Sequence, residues 1–424
     1  MRLRQKLRGG TFSAMILTGG AAGVAQLFVL ATTPIATRLF DGEAFGTLGL
    51  FMAFSNILTI GVHFGLIDTI LAAKDDDEAE TLLLAVFLSI AVMSVPVGAT
   101  MFALIALDLF GAGALPIWTA PATALQAACV AAVMAQQMAA IRRRTYRTLA
   151  GSHLALGLSR GGGQIGFGFL GLGSIGLVMS ELGSRLVTAL VLWHLSPPLP
   201  KLDRKALRRA ASTALGWRRF MVFRTPATLL GVLKVSFPPL LIGAFFMVDQ
   251  VGYFTLTTAV LFAPIGLLQK AIGDVFTGNY SAARRSDPRE ATRILWRTAA
   301  GLGGLGFLMA AALYWSGPEL FSVVFGAPWR SSGEIASILA PAFWAMVLAA
   351  PLSPVLNVLR RPDLLMWFNA AAVVVFIFLY WATGFWRLDF KATVGGISTI
   401  ILVSNLGLFG LVTLADRFIH ERMD

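Results

Sequence analysis

Apolar residues in this chain come in long continuous blocks, separated by short polar punctuation. Twelve blocks lie at about 11–37, 45–72, 81–107, 117–140, 153–170, 174–194, 220–245, 251–278, 294–315, 335–358, 364–382 and 394–415. Each is close to or above the ~20 residues a helix needs to cross the hydrocarbon core of a bilayer. A helix surrounded by lipid can be apolar all round, and it satisfies its backbone within one segment. The pattern therefore predicts an all-α integral membrane protein with twelve transmembrane helices. The fifth and eleventh blocks are the shortest, and several others are long enough to tilt.

The punctuation gives the orientation. If the N-terminus is placed in the cytoplasm and sides alternate, 25 of the 34 Lys and Arg fall inside, counting Arg297 at the inner end of its block, and 4 outside, with the other 5 deeper within the blocks. The inside set includes Arg2, Arg4, Lys6, Arg8, Arg142, Arg143, Arg144, Arg147, Arg208, Arg209, Arg284 and Arg285; the outside set is Arg38, Arg330, Arg387 and Lys391. An excess of basic residues on the cytoplasmic side is the normal topology signal, so both termini are expected there. The first block is too long for the ~7–15 apolar residues of a cleaved leader and reads as a span.

Composition agrees. The chain is 57% hydrophobic and 13% charged, with a mean hydropathy of +0.75; soluble domains carry roughly 25% charge. The net charge of +12 sits at the ends of spans, which points to topology and not to nucleic acid. A lone Cys129 excludes an intrachain disulfide and a thiolate metal cluster. No cofactor is expected.

The longest polar stretch, about 195–219, starts with the stiff Ser196-Pro197-Pro198-Leu199-Pro200 and continues as a basic amphipathic helix ending near Trp217. Such a helix suits the inner headgroups, or a solvated linker. It divides the chain into an N-terminal six-helix bundle (1–194), a cytoplasmic amphipathic linker (195–219) and a C-terminal six-helix bundle (220–424). The halves share a weak echo. Pro34 precedes Asp41 and Phe45-Gly46 as Pro239 precedes Asp249 and Val251-Gly252-Tyr253, with Pro-to-Gly spacings of 12 and 13. Duplicated bundles are a transporter design.

Eight charged residues fall at bilayer depth: Asp68, Arg160, Glu181, Arg185, Arg224, Lys234, Lys270 and Asp274. Each costs about 2.5–3.5 kcal/mol even on the lenient insertion scale, so each is expected to face a partner or a wet cavity. Glu181/Arg185 and Lys270/Asp274 stand at i,i+4 spacing and can neutralise each other. Arg224 and Asp68 lie near the inner ends of their spans and can snorkel. Arg160 and Lys234 have no acid at pairing distance on their own helices. Arg160 is followed by Gly161-Gly162-Gly163, and Lys234 by the helix-breaking Pro238-Pro239. Both are expected to line a water-filled cavity. Five basic against three acidic residues make that interior positive, which suits a lipid phosphate or diphosphate. Asn56, His63, Gln126, Gln136, Gln137, Thr255, Thr257 and Thr258 add polarity; His63 reads as a satisfied bundle histidine.

Several motif matches carry nothing. Gly171–Gly176 and Gly301–Gly306 fit G-x-G-x-x-G without the strand a nucleotide site needs. Gly157-Leu-Ser159-Arg160-Gly161 fits a serine elbow without its strand–turn–helix setting. No P-loop is present to hydrolyse ATP.

Pro34-Ile-Ala-Thr-Arg38-Leu-Phe, Phe45-Gly46, Gly65-Leu66-Ile-Asp68, Phe237-Pro238-Pro239, Val251-Gly252-Tyr253-Phe254 and Leu320-Phe321-Ser-Val-Val-Phe325-Gly326-Ala-Pro-Trp329 appear in an order that resembles the polysaccharide and lipid-linked oligosaccharide flippases of the multidrug/oligosaccharidyl-lipid/polysaccharide (MOP) exporter superfamily. The resemblance runs from about residue 15 to 360. It implies two six-helix bundles around a central cationic cavity in a bacterial inner membrane. It also implies alternating-access export of an isoprenoid-diphosphate-linked oligosaccharide for lipopolysaccharide or exopolysaccharide, with no enzymatic activity. Arg160, Lys234, Arg185, Arg224 and Lys270 would hold substrate. Asp68, Asp274 and Glu181 are candidates for coupling to H+ or Na+. Membrane lipids and a polysaccharide assembly machinery are the implied partners.

Two other readings stay open. A drug/cation antiporter of the same superfamily would use Asp68 and Asp274 in an acid-rich cavity. A membrane polysaccharide polymerase or ligase would need a large outward loop, whereas the longest expected one, about 316–334, holds only Glu319, Arg330 and Glu334 as charged groups.

Overall fold

The computed structural model describes the backbone of residues 2–197, 203–349, 352, 354–359 and 362–420; side chains are described except at 2–16, 270, 271, 274, 288, 357, 362 and 417–420. Among the described residues every regular element is helical. Eleven helices are long and apolar enough to cross a membrane. The twelfth expected span is helical too: α6 (Tyr146–Phe169) has 24 residues, about 36 Å at 1.5 Å per residue. Seven glycines, Arg160 and Gln164 keep it below the apolarity of the other eleven.

Two compact units divide the chain, Met1–Ser236 and Phe237–Asp424. The first contains α1 (Arg2–Leu39), α2 (Gly42–His63), α3 (Leu66–Ala72), α4 (Asp76–Ala106), α5 (Thr119–Arg142), α6, α7 (Gly173–Leu195), α8 (Arg204–Gly216) and the start of α9 (Arg218–Phe245). The second contains the rest of α9, α10 (Val248–Leu268), α11 (Asp274–Ser286), α12 (Pro288–Phe325), α13 (Arg330–Ala349), α14 (Val355–Val358), α15 (Pro362–Trp386) and α16 (Phe390–His420).

In the first unit α6 lies against α1 and α7, while α5 packs on α2, α4 and α7. Ala127, Ala131, Ala135 and Ala139 present a small face of α5 to Leu66, Ile67 and Ile70 of α3 and to Leu82, Leu83 and Val86 of α4. Asp41 caps α2 by accepting from Ala44 N at 2.8 Å. Asp75 does the same for α4 from Glu78 N at 2.8 Å. The acidic run that follows Asp75 is consumed at this helix start. Asp76 pairs with Arg142 and Glu80 with Arg143, both at 3.0 Å; Asp77 pairs with Arg209. Glu78 accepts from Trp217 Nε1 at 3.0 Å. α8 places Ala206, Ala210 and Ala214 against Leu84, Ala85 and Leu88 of α4, and Arg204, Lys205 and Arg208 remain exposed.

The block 45–72 is broken. α2 ends at His63, and Phe64 and Gly65 both take positive φ, 44° and 73°. His63, buried, accepts from Gly65 N through Nδ1 at 3.1 Å, so it is a satisfied bundle histidine. Arg142 at the end of α5 donates to the carbonyls of Ile70, Leu71 and Ala73, covering acceptors that the short α3 leaves open.

In the second unit α13 packs on α10, α12 and α16. The expected outward loop at 316–334 is instead almost entirely helix: α12 runs to Phe325, and a single 3-10 turn over Ala327–Trp329 leads to α13. Close packing explains the difference. A Cβ added at Gly317 would lie 2.6 Å from Ser337 Oγ and 2.7 Å from Gly333 O. Trp329 is buried edge-on to Tyr253, centroids 5.8 Å apart, and Thr257 donates to Ser332 O at 2.8 Å.

Candidate functional site

α6 is held by its glycines. A Cβ at Gly157 would stand 2.6 Å from Ala25 Cβ of α1, one at Gly161 2.8 Å from Phe28, and one at Gly163 3.1 Å from Ser180 Cβ of α7. Backbones approach this closely only where side chains are absent. The approach carries Arg160 of α6 to Glu181 of α7, with Nε to Oε2 at 2.9 Å. Arg185, one turn further along α7, reaches the other carboxylate oxygen: Nη2 to Oε1 is 3.2 Å, and Nε donates to Oε1 at 3.2 Å.

Three of the sequence-predicted residues thus form one cluster. The side chain of Glu181 is 1% exposed, that of Arg160 32% and that of Arg185 21%. The carboxylate is sealed, whereas both arginine side chains stay partly exposed. With two cations and one anion, the cluster carries one surplus positive charge. The Arg160 contact is a charge contact without hydrogen-bond alignment at Nε and Oε2. Gln126 of α5 also reaches the Glu181 carboxylate, and its own Oε1 is buried without a hydrogen-bond partner. A guanidinium that is held but incompletely satisfied keeps donors that a phosphate can accept from bidentately.

Arg224 and Asp68, each expected at the inner interface, meet each other at 2.6 Å with half-exposed side chains. The pair joins α9 to α3 just past the Phe64–Gly65 break. Lys234 is half-buried on α9, one turn before Pro238-Pro239. Lys270 falls in a π-helical turn and Asp274 opens α11, and both side chains lie outside the described residues. Among the described residues no group of three or more His, Cys, Asp or Glu could hold a metal ion.

Sequence reasoning missed a second charged cluster. Asp416 of α16 is 1% exposed and Arg284 of α11 10%, with Nη1 to Oδ1 at 3.0 Å. Tyr280 donates to Oδ1 at 2.6 Å and Thr292 to Oδ2 at 2.5 Å. Burial and the adjacent carboxylate push the Tyr280 phenol above its ordinary range, so it stays a donor. The one signal was an acid directly after the apolar Leu414-Ala415.

A family model described as polysaccharide biosynthesis protein matches residues 35–334. No curated protein sequence matches the chain. Among solved structures the chain is similar to an inward-facing multidrug resistance MATE family transporter of the MOP superfamily, with 15% identity, TM-score 0.66 and coverage of 96% of each chain. It is similar to the lipid II flippase MurJ in an inward closed conformation, with 12% identity, TM-score 0.66 and coverage of 98% of this chain and 92% of that one. It is also similar to a MOP superfamily transporter from Pyrococcus furiosus Vc1 described by the reverse polarity of its binding pocket, with 13% identity, TM-score 0.59 and coverage of 95% of each. The structural likeness defines the fold, and the family match spans well over half of the sequence. The chain is a multi-pass membrane protein with the fold of MOP superfamily transporters, and it belongs to the polysaccharide biosynthesis protein family.

Proposed function

We propose that the protein is a flippase that moves an isoprenoid-diphosphate-linked oligosaccharide across a bacterial inner membrane by alternating access, and is not an enzyme. The observation that carries this reading is the Arg160–Glu181–Arg185 cluster: two partly accessible arginines share one sealed carboxylate in helices at bilayer depth. A surplus cation there binds a diphosphate and disfavours a cationic drug, which argues against the antiporter reading. With barely any chain between α12 and α13, no outward loop is available there for a polymerase or ligase site.

On this reading α6 is the twelfth span, both termini are cytoplasmic, and 1–194 and 220–424 are the two six-helix bundles joined by the 195–219 linker. Arg160 and Arg185 take the diphosphate. Lys234, Arg224 and Lys270 contribute further positive charge, and an ion gradient coupled through Asp68, Asp274 or Glu181 supplies the driving force. The test is export of the lipid-linked glycan in cells carrying Arg160→Ala or Lys234→Ala. Export is lost in each while the protein remains folded and inserted; export that persists in both sinks the assignment.

A further inference from the structure

One carboxylate serves two guanidinium groups in this cluster, Oε2 of Glu181 toward Arg160 and Oε1 toward Arg185. A phosphate that arrives at the same arginines competes with Glu181 for the same donors. Glu181 is the sealed member, at 1% exposure, so a displaced carboxylate has no water to turn to. An unpaired buried carboxylate is strongly unfavourable, and the ordinary way to relieve it is protonation. We propose that binding of a phosphate group at Arg160 and Arg185 is coupled to uptake of one proton by Glu181. This rests on the reading of the arginines as the anion site.

The balance is simple. In the free protein Glu181 is ionised between its two partners. On binding, phosphate oxygens take over the guanidinium donors, and one proton from water joins a Glu181 carboxylate oxygen. On release the proton leaves and both ion pairs re-form. Proton and anion are therefore held together; a proton leaving with the exported substrate runs against an inward gradient, so Glu181 compensates charge at the site and the drive for export is left to Asp68 or Asp274. The groups that face Glu181 are Arg160 from α6, Arg185 on α7 itself and the neutral Gln126 amide from α5. The Cys129 thiol of α5 is within electrostatic reach of Arg185, and on α2 neither Glu43 nor His63 contributes to Glu181. Glu181 is the one acid in this set.

The probe is farnesyl diphosphate, titrated calorimetrically into the purified full-length protein in lipid nanodiscs. Two buffers of equal pH and different ionisation enthalpy give the number of protons taken up per ligand. Wild type is expected to take up about one proton more than Glu181→Gln. Its affinity falls about tenfold per pH unit, relative to that variant, across the range where Glu181 is ionised in the free protein. Equal proton counts, or parallel pH profiles, overturn the coupling and leave the anion site standing. Absence of binding by wild type, or undiminished binding by Arg160→Ala, overturns the anion site and the coupling with it. Should Glu181→Gln not yield folded protein, the wild-type proton count, corrected for the free ligand's ionisation, decides by itself: zero overturns the coupling.

Discussion

Two buried carboxylates, Glu181 and Asp416, each 1% exposed, answer the same physical problem differently. Asp416 is saturated. Tyr280, Arg284 and Thr292 all donate to it, Arg284 is itself 10% exposed, and the charges cancel. Glu181 is over-supplied with cations that keep 32% and 21% of their surface accessible. A saturated neutral cluster has nothing left to offer a ligand and serves to fix helices α11, α12 and α16. A cluster with a surplus charge, partly exposed arginines and an unaligned contact keeps a charge unmet, and the proposed anion site rests on that.

The comparison predicts opposite mutational signatures, and the largest effect belongs to the saturated cluster. Asp416→Ala leaves Arg284 uncompensated in a nearly closed site and costs about 3–5 kcal/mol, seen as a lower thermal unfolding midpoint in detergent. Wild-type stability in that variant would remove the distinction. Arg160→Ala leaves Glu181 paired with Arg185, so it destabilises less than Asp416→Ala while abolishing export. Next come the glycines that build the open cluster. Gly157→Val drives side-chain atoms into Ala25 and costs about 1–3 kcal/mol. Gly162→Ala, with nothing within 4 Å of its Cβ, is neutral or gains up to about 1 kcal/mol of helix propensity. Equal midpoints for the two variants would mean that α6 is not positioned by close packing. The smallest effect is Arg224→Gln. It opens a half-exposed pair with Asp68, worth about 0–1 kcal/mol, and the unfolding midpoint should barely move.

Much of the architecture could be read from the chain because lipid imposes one simple demand, continuous apolar length. Charges that violate the demand stand out, which is why Arg160, Glu181 and Arg185 were visible as candidates. Their meeting was only partly visible. The i,i+4 spacing announced Glu181 with Arg185, but Arg160 reaches Glu181 through the approach of α6 to α7, a property of Gly163 and Ser180 that hydropathy does not encode. The break at Phe64–Gly65 hid inside an unbroken apolar run, since a positive φ leaves no trace in hydropathy and Gly65 was its one cue. Asp416 escaped notice because an acid at the end of an apolar block ordinarily reaches water, and only the fold brings Tyr280, Arg284 and Thr292 around it. The outward loop at 316–334 was over-drawn for the opposite reason. Polar residues there mark the ends of two helices that extend further than their apolar cores.

The glycine-rich α6 has a consequence for biogenesis on the twelve-span reading. With Arg160 and Gln164 on board it partitions poorly into lipid alone, at a centre-of-helix cost of about 2.5–3.5 kcal/mol for the arginine. Its stay in the bilayer is then secured by company: α1 already in place on one side, and Glu181 of the following helix on the other. The Arg160–Glu181 ion pair offsets that cost only once α7 lies beside α6, so on this reading α6 depends on the helix that follows it to stay in the bilayer.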